Sequence, residues 1–127
     1  MGQAPDTKAL KTWRGEYDFA IDGGAAGTIT LRSQDGPIPI NAIVLGGYID
    51  VLTACLSATG TMQLNSEAAA DLLAATAQAG LTLGRKSVIP NFTGASSLKM
   101  TADRLVQLVI ATAAFTAGKF RLSLVYQ

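Results

Sequence analysis

Apolar and polar side chains alternate strictly near the start of the chain. Trp13, Tyr17, Phe19 and Ile21 fall on one side of an extended backbone, with acidic and basic residues on the other. A period of two residues predicts a half-buried β-strand that begins at Trp13. Glycines in residues 23–27 supply a turn, and residues 28–31 alternate again. These two strands are therefore predicted to pair as a hairpin.

The same kinds of pattern recur along the rest of the chain, with turn-forming residues between them. Gly46 and Gly47 interrupt one apolar stretch and indicate a bulge or a close backbone approach. Apolar residues occupy both faces of residues 104–111, which predicts a strand covered on both sides. The predicted strands after the first pair are 43–45 continuing as 48–53, then 61–64, 86–89, 96–101, 104–111 and 119–126.

One segment, residues 65–77, has clear helix propensity. Asn65 or Ser66 can cap it, Glu67 stands in its first turn, and alanines and leucines follow. A short helix or helical turn is predicted here. Because the apolar residues form no clean helical stripe, the part after Leu73 could equally be an alanine-rich strand.

About eight strands with regular turn signals predict an all-β fold. One short helical insertion favours a two-sheet antiparallel sandwich of the jelly-roll type over an immunoglobulin sandwich. Residues 1–12 are mostly polar and predict a flexible N-terminal arm, which leaves residues 13–127 as the jelly-roll domain. A chain of 127 residues is long enough for one such core.

Composition narrows the possible functions. Hydrophobic residues make up 49% of the chain and charged residues 15%, against about 25% charged in an average domain. The net charge is +1, which argues against electrostatic binding of nucleic acid or of an anionic membrane. Histidine is absent, which removes Ser-His and Cys-His dyads and His-ligated zinc. No enzymatic activity, cofactor or metal is expected.

Three further features receive structural interpretations. Cys55 lies in an apolar stretch and is expected to be a buried small hydrophobe. Asp18, Asp22, Asp35 and Asp50 follow no calcium-loop spacing and are expected at solvated strand ends and turns. The N-terminus has no secretory pattern and no stretch is long enough to span a membrane, so synthesis in a cytoplasm is expected.

A chain with so few charges is expected to expose apolar patches, which oligomerisation or docking would cover. Basic residues near the N-terminus flank Trp13, a residue type that often anchors interfaces. Scattered cations without an aromatic platform make a weak nucleic-acid site, so docking to an acidic protein surface is the preferred interpretation. The docking candidates are Lys8, Leu10, Lys11, Trp13 and Arg14.

Several segments together resemble small structural proteins of tailed bacteriophages. The matching segments are YDFAIDGG at 17–24 with GTI at 27–29, IP at 38–39 with GYIDV at 47–51, DLLAATA at 71–77, GRK at 84–86 and TAAFTAGKF at 112–120. The pattern is similar to that of jelly-roll proteins that decorate or cement capsids. The resemblance implies a non-enzymatic homotrimer on the outer capsid surface. It also implies that the arm reaches neighbouring subunits of the major capsid protein.

Two other functions compete with decoration of a capsid. One is another virion component, such as a head-fibre base or a tail protein, although the chain carries no additional distal domain. The other is a carbohydrate-binding jelly roll for host attachment, which needs exposed aromatic platforms. The aromatic residues considered for that role are Trp13, Tyr17, Tyr48 and Tyr126.

Overall fold

In the computed structural model of the chain, residues 10–88 and 99–127 are described, and their eight strands form two antiparallel sheets of four strands each. Sheet I contains, in spatial order, β1 (Lys11–Asp18), β8 (Phe115–Tyr126), β3 (Val44–Ser57) and β6 (Gly84–Val88). Sheet II contains β2 (Gly27–Thr30), β7 (Gln107–Ala111), β4 (Thr61–Asn65) and β5 (Leu73–Ala77).

The strands pair in a nested order that defines the topology. The first strand pairs with the eighth, the second with the seventh, the third with the sixth and the fourth with the fifth. The chain therefore behaves as one long hairpin that is rolled up. Two further pairings, β3 with β8 and β4 with β7, close the roll into two sheets. This is a jelly roll, as the sequence predicted.

Apolar side chains from the facing sides of both sheets form the core. Trp13, Tyr17 and Phe120 of sheet I are at most 1% exposed. The indole Nε1 of Trp13 donates to the carbonyl oxygen of Gly36 at 2.6 Å, and the Tyr17 hydroxyl donates to that of Gly23 at 2.6 Å. These bonds satisfy the polar atoms of the two large aromatic residues inside the core.

The first strand differs from its prediction at both ends. It begins at Lys11, two residues before Trp13, and ends at Asp18. Phe19–Asp22 forms a short helix, α1, instead of extending the strand, and Ile21 is 65% exposed. The Asp18 carboxylate accepts from the backbone N–H of Ala20. Such local side-chain bonds offer the backbone an alternative to the ladder, so the strand ends there.

The predicted hairpin of the first two strands is wrong. β1 lies in sheet I and β2 in sheet II, and they meet only through an isolated bridge between Glu16 and Arg32 beyond the end of β2. Alternation identifies a strand but not its partner, and in this topology the first four strands alternate between the two sheets.

The predicted helix over residues 65–77 is also wrong, although the alternative for its second half is confirmed. The chain makes turns after Asn65 and then forms β5 from Leu73 to Ala77. The Asp71 carboxylate accepts from the backbone N–H groups of Ser66, Glu67 and Ala68. These bonds fix a compact turn in place of a helix.

Later strands match their predicted positions with different bounds. β3 is continuous from Val44 to Ser57, and its register shifts between Val44 and Gly46, where the bulge was predicted. β7 is shorter than predicted and is buried on one face only, since Gln107 and Ala111 on its other face are exposed. β8 starts four residues early. The strand predicted at 96–101 falls mostly outside the described residues.

Candidate interaction surfaces

The predicted docking residues do not form one patch. Leu10 precedes β1 and is 63% exposed, Lys11 is the first residue of that strand and is exposed, and Arg14 lies on its outer side. Trp13, by contrast, is a core residue, so it supports the strand and is removed from the candidates for direct contact. Lys8 lies outside the described residues.

The outer face of sheet I carries opposite charges side by side. The strand register places Glu16, Arg121, Asp50 and Arg85 in one row across all four strands. Arg121 Nε lies 3.9 Å from the Glu16 carboxylate. Tyr48 lies in the next row, and the guanidinium carbon of Arg85 stands 4.4 Å above the centre of its ring, within the range of a cation–π contact. The face is thus strongly polar and electrically mixed.

A loop segment covers the edge of this sheet that is formed by β1. Glu16 and Arg32 exchange backbone hydrogen bonds, and the backbone N–H of Arg14 donates to the Asp35 carboxylate at 2.8 Å. Residues 32–35 therefore cover the middle of β1. This arrangement protects an edge that would otherwise be open to pairing with another strand.

The covering loop and the outer face of sheet I enclose an open groove of about 650 Å³. Arg32 anchors its wall, with Nε 3.0 Å from Asp22 and an Nη 3.2 Å from Glu16. The hydrogen bond to Asp22 raises the pKa of Arg32 above its ordinary value. The charges of the anchor are thus paired within the chain, and the groove is a polar concavity with no excess of either charge.

The outer face of sheet II has a different chemistry. None of the residues in β2, β4, β5 or β7 is charged. The inner side is formed by residues such as Leu64, Leu108 and Ile110, which are at most 2% exposed. The register therefore places three outer rows across the sheet: Thr28, Val109 and Gln63; Thr30, Gln107 and Asn65; Ala111, Thr61 and Ala77.

Two charged residues at one end of sheet II, Glu67 and Arg104, are paired with each other. Glu67, in the turn between β4 and β5, accepts from Arg104 Nε at 2.8 Å and from the backbone and hydroxyl of Thr101. Hydrogen bonds from Arg104 and Thr101 lower the pKa of Glu67 to about 2. This pair forms one border of the uncharged face and leaves no unpaired charge on the Glu67 carboxylate.

Exposed apolar side chains are present, as the composition predicted. Leu83 directly precedes β6, whose first residue, Gly84, pairs with Val51. Within residues 10–88 and 99–127, the large apolar residues with substantial exposure are Leu10, Ile21, Ile40, Leu45, Leu52, Leu56, Leu83 and Leu105.

The described residues were compared with the requirements of a reactive thiol, a metal site and a membrane-spanning helix. Cys55 is 1% exposed, and burial raises the pKa of its thiol to about 11, which keeps it protonated at neutral pH. Residues 10–88 and 99–127 contain no group of three or more Cys, Asp or Glu that could hold a metal ion. Within the same ranges no helix is long and apolar enough to cross a membrane.

Comparison with known proteins places the fold among phage capsids. No protein-family model and no curated protein matches the chain. A chain in the Cyanophage Pam1 capsid asymmetric unit matches with a TM-score of 0.67 and 21% identity over 99% of this chain and 89% of that one. A chain in the capsid of Ralstonia phage GP4 matches with a TM-score of 0.66, 21% identity and the same coverage. The chain shares their fold.

A third match extends the comparison to another host. A chain in the acidic stable capsid structure of Helicobacter pylori bacteriophage KHP30 has a TM-score of 0.61 and 15% identity over 94% of this chain and 89% of that one. The fold likeness therefore covers nearly the whole length of the described jelly roll in all three cases.

The uncharged face was missed in the sequence, although its signal is visible there. Residues 23–31, 51–66, 72–84 and 105–118 contain no charged residue, although a charged residue directly precedes each of these runs. Three of these runs hold strands of sheet II in full, and the fourth, 51–66, holds β4 after the end of β3. Only the strand order shows that they lie side by side.

Proposed function

We propose that the protein is a bacteriophage capsid protein of the decoration type. It binds the outer surface of the head as a homotrimer and stabilises the shell by bridging subunits of the major capsid protein. The observation that carries this proposal is the fold shared with chains of three phage capsids over at least 94% of the chain. Its role is binding rather than catalysis.

The charge distribution supports a site facing away from DNA. The net charge is +1, and the outer face of sheet I alternates arginines with carboxylates instead of presenting a basic surface. A protein that binds packed DNA through phosphates would need an excess of cations on one face. The chain is synthesised in the host cytoplasm and joins the virion from there.

The start of β1 is the proposed point of contact with the capsid. Loop residues 32–35 cover β1 around Arg14 and Glu16, whereas Leu10 and Lys11 precede the covered part and are exposed. Residues 1–10, which precede β1, form the arm in this proposal and contact the capsid. Lys8, Leu10 and Lys11 supply cations and an apolar group for an acidic partner surface.

The test is binding to capsids of the phage that encodes the protein, prepared without it. The full chain should co-sediment with these capsids and raise the temperature at which they release DNA. A variant that lacks residues 2–10 retains all of β1 and should bind at least tenfold more weakly. Arg85→Ala, on the edge strand of sheet I opposite β1, is the matched variant with the arm intact.

Two outcomes would contradict different parts of the proposal. Absence of binding by the full chain would overturn the decoration role. Equal binding by the truncated chain would show that the arm does not contribute to the contact, and the decoration role would be retained. Density for the protein at a tail or fibre in cryo-electron microscopy of virions would favour the other virion component.

The carbohydrate-binding alternative has less structural support. Trp13 and Tyr17 are buried and cannot stack on a sugar, and the Tyr48 ring already has a guanidinium over one face. That leaves few aromatic platforms among the residues considered for this role. Glycan-array binding by the purified chain would revive it.

A further inference from the structure

We infer that the outer face of sheet II is the surface through which copies of this chain contact each other. The inference rests on the proposed homotrimer and names its contact surface. The face is defined by the three outer rows of β2, β7, β4 and β5, and its side chains are threonine, glutamine, asparagine, alanine and valine.

The chemistry of the face suits burial. Charged residues are depleted at the centres of protein interfaces, because a buried charge without a partner loses its hydration. This sheet has none on any strand, whereas the other sheet has charged residues on every strand. Val109, at the centre of the middle row, is half-buried, and its neighbours Thr28 and Gln63 are small or neutral.

The absence of charge on the outer face of sheet II limits which surface can cover it. A surface that covers this face must itself be uncharged, or it would bury charges that nothing opposite can pair. The outer face of sheet I fails this condition because of Arg14, Asp50 and Arg121. Among the two sheet surfaces of the described chain, the one that fits the outer face of sheet II is the same face of another copy.

The geometry of a threefold axis permits such self-contact. When one face of each copy points toward the axis, half of that face meets the other half of the next copy. Here β2 and β7 form one half and β4 and β5 the other, and both are uncharged. At one border, Glu67 and Arg104 pair within the chain and present no unsatisfied charge to a neighbour.

The experiment measures the mass of the full chain by light scattering after gel filtration. The wild type should have about three times its chain mass of 13.1 kDa. Val109→Lys places a positive charge at the centre of the face, and the measured mass should fall threefold. Ser123→Lys adds the same charge on the central strand of sheet I and should leave the mass unchanged. Circular dichroism checks that both variants fold.

Each result decides the inference. If Val109→Lys keeps the wild-type mass, or if only Ser123→Lys dissociates, the outer face of sheet II is not the contact surface. The trimer itself is retained in that case. If the wild type is a monomer at every concentration, self-contact in solution is overturned, and binding to capsids remains a separate measurement. If Val109→Lys fails to fold, Thr28→Lys provides the same test at an exposed position of an edge strand.

Discussion

The two sheets share one topology and one core, yet their outer faces differ completely. Sheet I carries charged residues on each strand, and sheet II carries none. The fold makes no such demand, because the outer side of either sheet would be equally stable with charged residues in water. An uncharged outer face on sheet II is what the proposed contact between copies requires, and the charged outer face of sheet I is suited to solvent.

The sheets also differ in what holds them together. The central strands of sheet I, β3 and β8, have 14 and 12 residues and form a long ladder. Strands of sheet II have four or five residues. A short ladder contributes fewer hydrogen bonds, so side-chain carboxylates in the adjoining turn fix the end of sheet II. Sheet I includes a close backbone approach at Gly47, and Asp71 and Glu67 fix the turn beside sheet II.

The largest effect is expected where β3 and β8 approach closely. A Cβ at Gly47 would lie 2.2 Å from the carbonyl oxygen of Ser123, which is backbone and cannot turn away. Gly47→Ala should lower the free energy of unfolding by about 3 kcal/mol. Gly46→Ala is the matched control, because a Cβ there meets nothing within 4 Å. Urea unfolding of both variants measures the difference, and equal stability would show that sheet I does not depend on this contact.

A smaller effect is expected at the turn of sheet II. The Asp71 carboxylate is 5% exposed and accepts from three backbone N–H groups and the Ser66 hydroxyl. Asp71→Asn replaces one acceptor oxygen with a donor and should cost about 2 kcal/mol. Asp35→Asn, which alters an exposed carboxylate at the edge of sheet I, should cost less. Thermal unfolding measures the loss of stability in each variant. A larger loss for Asp35→Asn than for Asp71→Asn would contradict the role of Asp71 in the turn.

The smallest effect concerns pH. The pKa of Glu67 falls from an ordinary 4.5 to about 2 in the folded protein because Arg104 and Thr101 bind the carboxylate. Its contribution to stability is present above the unfolded pKa and is lost as pH falls from about 5 to about 2. The melting temperature of Glu67→Gln should therefore fall less than that of the wild type across this pH interval. Differential scanning calorimetry measures both melting temperatures, and an equal fall for the two proteins between pH 5 and pH 2 would contradict this expectation.

Much of the fold could be predicted from local patterns. The alternation of Trp13 and Tyr17 marked β1, and Gly46 and Gly47 marked the irregularity in β3, because both signals depend on near neighbours in the chain. The partner of each strand could not be read in that way. β1 pairs with β8, more than 90 residues away, as Lys11 opposite Tyr126 shows.

The candidate surfaces were harder to predict. Residues 65–77 have the composition of a helix, but Asp71 binds the backbone before it and produces a turn, which propensity does not describe. Trp13 was a candidate for docking because of its size and position, and the same size places it in the core. The uncharged runs in the sequence became a surface only when the strand order brought them together.

The nested pairing of the strands has a consequence for synthesis. β8 lies between β1 and β3, and β7 lies between β2 and β4, so each sheet receives an interior strand only after both strands that flank it have been translated. At about 5–20 residues per second, β1 waits several seconds for its partner. During that time the inner faces of the earlier strands are exposed to solvent, and folding is slow because the necessary contacts are distant in sequence. Neither layer can therefore be complete before the ribosome has made the last two strands, β7 and β8.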